Sequence, residues 1–107
     1  MDPGQFPSAE AYAEAVRRRK GQYLRRLREA RGLSRLMLQR ISRVTDETIR
    51  RIELGVANPS SDIVSTLCFA LGVRVEDFTN AALSDDEPPP PPPPAISEGA
   101  ALPIIIG

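Results

Sequence analysis

Between Gly32 and Gly55 the chain reads GLSRLMLQRISRVTDETIRRIELG, and this run constrains the fold more than any other. Leu33, Leu38 and Ile41 recur at the spacing of one helical face, and Val44, Ile49 and Ile52 do so after a short break. A 3.6-residue repeat puts positions three and four apart on one side of a helix, so the run predicts two short helices joined by a tight turn. Ser34 and Thr45 stand where each helix begins. Their hydroxyls can accept from a first-turn amide that has no partner within the helix, which makes both N-cap candidates. The plain alternative is a helical hairpin without a ligand.

The flanks extend the pattern. Pro3, Gly4 and Pro7 make residues 1–7 a flexible lead, and Ser8 then caps an alanine-rich helix, periodic at Tyr12 and Val16, that runs through Arg17, Arg18, Arg19 and Lys20. At Gly21 this helix ends, kinks or continues. From Gln22, the side chains of Tyr23, Leu24, Leu27 and Ala30 form the apolar side of a helix whose other face carries Arg25, Arg26, Arg28 and Arg31, stopped at Gly32. After Asn58 and Pro59, Ser60 or Ser61 caps a mostly buried helix through Ile63, Val64, Leu67, Cys68, Ala70 and Leu71, closed by Gly72. A last short helix begins at Val75 and Phe78 and fades near Leu83. The expected class is all-α: an N-terminal extension, partly helical, at 1–19, a five-helix domain at 20–83, and a tail at 84–107. So small a core would be helped by dimerisation.

The tail changes composition abruptly. Asp85, Asp86 and Glu87 lead into seven prolines, Pro88–Pro94. Consecutive prolines fix φ and lack amide donors, so the tract predicts a polyproline II rod of about 3 Å per residue, a spacer or, less commonly, a ligand for an aromatic groove. The end, Ile104, Ile105 and Ile106, is too short to span a bilayer. It can add a strand to a partner, dock on its own domain or remain without structure.

Fourteen Lys and Arg balance fourteen Asp and Glu, but their placement is uneven. Residues 17–51 hold 13 basic side chains against three acidic ones, a net of +10, whereas from Ile52 onward the net is −7. A concentrated basic region is the footprint of a phosphate-binding surface. There is no His and one cysteine, Cys68, in an apolar helical run, so it reads as a small buried hydrophobe and no metal or other cofactor is expected. An enzyme is disfavoured, since no nucleophile–base pair or phosphate-cradling glycine loop is present. No secretory signal, membrane-spanning run or lipidation motif is evident, which predicts a cytoplasmic protein with no membrane partner.

Residues 21–80 resemble the Xre/Cro-type helix-turn-helix family of phage and bacterial repressors. The resemblance is carried by LRRLREARGLS at Leu24–Ser34, Val44 and Thr45 at the turn, TIRRIELG at Thr48–Gly55, NPS at Asn58–Ser60 and ALGV at Ala70–Val73. Their order and spacing make it specific. It implies a five-helix repressor-like domain acting as a homodimeric transcription regulator, a repressor, that binds double-stranded DNA with Asp46–Glu53 in the major groove. By position, Thr45, Asp46, Glu47, Thr48, Arg50 and Arg51 match places that reach base edges or flanking phosphates. Arg35 and Asn58 match backbone-contacting places, and Arg43, in the turn, completes the DNA-binding set. Arg50 is suited to guanine O6 and N7, and Asp46 or Glu47 to cytosine N4, although a helix N-terminus favours the same carboxylates without any ligand. Glu53 is expected to bond within the domain, to an arginine of the first core helix.

Two positions depart from the family. Gln39 stands where alanine is usual, and Arg43 where glycine is usual, so Arg43 takes a left-handed backbone or the turn is reshaped. Leu36, Met37 and Phe69 are apolar at unexpected places and suggest a protein-contact surface, with helical core the commoner reading for Leu36. A second function is therefore open, a protein-interaction module, antitoxin-like or a co-regulator, acting through these patches and the C-terminal tail. A third is that the acidic tail folds back over the basic body and competes with DNA.

Overall fold

The structure, a computed structural model, describes residues 2–83. The expectations for the acidic, polyproline and apolar tail lie outside the described residues. Within them the chain forms five helices: α1 (Ala9–Ala30), α2 (Arg35–Ser42), α3 (Asp46–Glu53), α4 (Ser61–Leu71) and α5 (Val75–Leu83). Four start as the sequence predicts. The hydroxyls of Ser8, Ser34, Thr45 and Ser60 accept from the amides of Ala11, Met37, Thr48 and Ile63 at 3.1 to 3.2 Å.

Of the three outcomes open at Gly21, the helix continues. α1 is 22 residues long, about 33 Å at 1.5 Å per residue, and joins the N-terminal extension and the first core helix in one rod. Gly21 is buried where α1 crosses the end of α3, and a Cβ there would lie 2.2 Å from the Ile52 carbonyl oxygen. The lead is folded as well. Pro3–Gln5 makes a 3-10 turn, with the Asp2 carboxylate accepting from the Gly4 amide, and the Phe6 ring meets Tyr12 edge-on at 5.5 Å.

The core gathers Tyr23, Leu24 and Leu27 of α1, Leu38 of α2, Val44, Ile49 and Ile52 around α3, Leu67, Cys68 and Leu71 of α4, and Phe78 and Ala81 of α5. Two expectations for α2 are overturned. Ile41 is 55% exposed and Leu36 58%, because the buried stripe of this two-turn helix runs from Leu38 to Ser42. Leu36 lies two positions from Leu38, about 200° round the helix, and so points away from that stripe. Arg28 is corrected in the opposite sense: assigned to the outer basic face, it is buried. Phe69, expected to be poorly covered, is 88% exposed.

Helix ends set the relation of α2 to α3. α1, α3 and α4 end alike, with Gly32, Gly55 and Gly72 at φ of 70° to 77° and the paired backbone bonds of a Schellman motif, such as Val56 N–H to Arg51 C=O at 3.0 Å. α2 ends differently. Arg43 takes the left-handed conformation, φ 67°, and its amide makes a single bond of 2.7 Å to the Gln39 carbonyl. The next amide, of Val44, is taken instead by the Ser42 hydroxyl at 3.1 Å, which itself donates to the Leu38 carbonyl at 2.7 Å. The left-handed region costs a side-chain-bearing residue about 1 kcal/mol or more. Arg43→Gly is therefore expected to stabilise the domain by up to about 1 kcal/mol, raising Tm by about 4–8 °C in a thermal melt. No rise means that the strain has been relieved elsewhere.

Cys68 is buried, as expected, and loss of solvent pushes its thiol up to about 11. At pH 8 the native thiol should react with a disulfide reagent only as fast as the domain opens. Because the folded-state value lies above the ordinary 9.0, the linked stability is complete below pH 9 and is lost as pH rises towards 11. Fast native-state labelling at pH 8 would contradict this.

Candidate nucleic-acid interface

α3 presents a split surface. Ile49 and Ile52 are buried, while Glu47, Arg50 and Arg51 are exposed. Its N-terminus is held from two sides. Thr45 caps it and also donates to the Thr48 hydroxyl at 2.9 Å, and Gln39 of α2 accepts from the Asp46 amide at 2.6 Å. Gln39, noted in the sequence only as a departure from alanine, thus turns a close helix crossing into a second cap. Its signal was its length, which suffices to span two helices.

The back of α3 is fixed by charge. The Arg28 guanidinium gives two bonds to the Glu53 carboxylate, 2.7 and 3.0 Å, and a third to the Leu33 carbonyl at 2.8 Å. This is the bond expected of Glu53, and it raises the Arg28 pKa. It ties the end of α1 to the end of α3. Arg31 adds a bond of 2.9 Å to the Leu71 carbonyl, joining α1 to the end of α4.

Besides Thr45 and Thr48, which bond to each other, the candidate residues form two ion pairs and an exposed flank. Arg35, first residue of α2, donates to Asp46, first residue of α3, at 2.7 Å. With Ser34 and Leu36 they line an open groove of about 350 Å³ where the positive ends of both helices meet. Arg50 grips Glu47 with Nε at 3.1 Å and Nη2 at 2.9 Å, and these bonds raise the arginine pKa and lower that of the carboxyl. Arg43, Arg51 and Asn58 are exposed, on the α2–α3 turn, on α3 and on the loop that follows it. Both acidic candidates, Asp46 and Glu47, therefore hold arginines of the same surface.

Among the described residues no helix is long and apolar enough to cross a membrane, and no acidic, Cys or His cluster is arranged to hold a metal.

The profile of the helix-turn-helix family matches residues 24–78, just over half of the chain. Two crystal structures of the clp gene regulator ClgR from Corynebacterium glutamicum are similar to it. Each is 31% identical with a TM-score of 0.60 over 64% of this chain, covering 72% of one ClgR chain and 87% of the other. No curated protein matches the chain. Matched profile, shared fold and an α3 docked as a second helix-turn-helix helix agree: the chain belongs to the Xre/Cro-like helix-turn-helix family of DNA-binding regulators.

Proposed function

We propose that the protein is a sequence-specific transcriptional repressor that binds an operator of two related half-sites as a homodimer, with one α3 in the major groove of each. The observation that carries this is the division of α3, whose apolar edge is sealed in the core while Glu47, Arg50 and Arg51 are exposed and Arg35 of α2 reaches Asp46 at its N-terminus. Thr45, Asp46, Glu47, Thr48 and Arg50 then meet base edges. Arg35, Arg43, Arg51 and Asn58 meet phosphates, which fix position without reading sequence. Repression follows from occlusion of polymerase at the operator.

Counterion release supplies the test. Three phosphate-binding arginines in each of two protomers predict a slope of about −5 in log affinity against log salt, and a loss of about a thousandfold between 50 and 200 mM. Fluorescence anisotropy on a site selected from random duplexes measures it. A flat response contradicts arginine–phosphate contact.

A second reading, a protein-interaction module on the same scaffold, is favoured by the exposure of Leu36, Met37, Ile41 and Phe69. It predicts that Phe69→Ser, or removal of residues 84–107, abolishes the biological effect with DNA affinity intact.

A further inference from the structure

We infer that Glu47 and Arg50 act as one recognition unit, which reads a guanine through Arg50 and, through Glu47, demands an exocyclic amino group, cytosine N4 or adenine N6, beside it. The inference rests on α3 being the groove-entering helix and deepens that reading to the base step the operator contains.

In the sequence the two side chains are separate candidates, one for guanine and one for cytosine. The structure joins them. Arg50 binds Glu47 through Nε–H and one Nη2–H. A guanidinium has five N–H donors, so two on Nη1 and one on Nη2 remain, and one from each nitrogen forms the adjacent end-on edge. That edge has the fork spacing that fits O6 and N7 of guanine. The side chains of Arg50 and Glu47 are 44% and 62% exposed, so the unit is accessible to a ligand as it stands. Glu47 is thus a positioning residue for Arg50, fixing one rotamer of a flexible side chain before DNA arrives, which lowers the ordering cost of the contact.

Glu47 also has chemistry left over. An ionised carboxylate offers about four lone-pair sites, of which Arg50 takes two. In the major groove the available donors are the amino groups of cytosine and adenine, whereas guanine O6 and thymine O4 are acceptors that a carboxylate repels. A site that places an amino group next to the guanine satisfies both halves of the pair. A site that does not leaves one half opposed. Sequence-independent binding is weakened too, because Glu47 carries its charge towards the phosphates.

The test uses the full chain, a site enriched from random duplexes, and anisotropy on that site with each base pair under α3 changed singly. Wild type, Glu47→Gln, Arg50→Lys and the double variant are compared. Replacing the guanine by adenine should weaken the wild type at least about tenfold. Glu47→Gln should cut that discrimination several-fold while tightening binding to unrelated DNA. Arg50→Lys, which keeps the charge without the fork, should lose it similarly, and adding Glu47→Gln to Arg50→Lys should change it less than about twofold. If Glu47→Gln tightens binding to every duplex equally and leaves discrimination intact, Glu47 only repels phosphate, and the inference is overturned with α3 still the reading helix. If no base pair under α3 matters to the wild type, the reading of α3 fails, and the inference with it.

Discussion

Gly21→Ala should strip the domain of about half its stability, although alanine is the better helix former by about 1 kcal/mol in an exposed helix. The added methyl has nowhere to go. It would stand 2.2 Å from the Ile52 carbonyl oxygen and 2.8 Å from that of Glu53, both backbone atoms of α3 that no rotamer change can move aside. α1 and α3 must separate, which loosens Tyr23, Leu24 and Leu27 on one side and Ile49 and Ile52 on the other. Overpacking of this kind costs about 3 kcal/mol, against a total of about twice that for a small domain. A thermal melt followed by circular dichroism should move down by about 10–20 °C. An unchanged or higher Tm would mean that the two helices do not touch at Gly21.

Glu53→Ala should be comparably severe for an electrostatic reason. Its carboxylate takes two of the Arg28 bonds, and both side chains are buried. Without it, the guanidinium stays in the interior with the Leu33 carbonyl as its remaining partner on that side. Removing one partner of a buried ion pair costs about 3–5 kcal/mol, because the survivor keeps its desolvation penalty. Arg28→Met combined with Glu53→Leu removes both charges and should recover most of the loss. Urea unfolding of the three proteins separates the cases, and a mild Glu53→Ala together with a poor double variant would show that packing, not charge, matters there.

The two variants also mark where the sequence was legible and where it was not. Glu53 is legible as a structural acid with an arginine of the first core helix as its partner, because an anion facing DNA is disfavoured. The spacing puts Arg28 itself on the outer face, where the structure buries it. Periodicity assigns a residue to a side of its own helix, and it carries no information about a second helix crossing that side. The same gap explains Leu36 and Ile41, which have helical spacing but lie on flanks of α2 that the other described residues leave exposed. Gly21 left three outcomes open for a related reason, since its tolerance is decided by an α3 carbonyl more than thirty residues away.

N-caps were readable at Ser8, Ser34, Thr45 and Ser60 because a hydroxyl and an amide three residues on meet within one turn. The surface around α3 was readable as a set of residues but not as a set of bonds. That Asp46 takes Arg35 and Glu47 takes Arg50 depends on rotamers chosen by the fold. Gln39 and Ser42 are harder to read as contributors, because each acts by replacing something absent, an alanine-sized contact and a glycine turn, and only the length of Gln39 hints at its reach.

The uninterrupted α1 has a mechanical consequence. A helix of six turns is stiff on the scale of this domain, and it is pinned to α3 at Gly21, at Gly55, where Arg18 leaves no space for a Cβ, and through Arg28. The first two turns therefore form a lever arm continuous with the segment packed on α3. Torque applied near Tyr12 would be passed along an unbroken rod to the tilt of α3 and not absorbed at a joint.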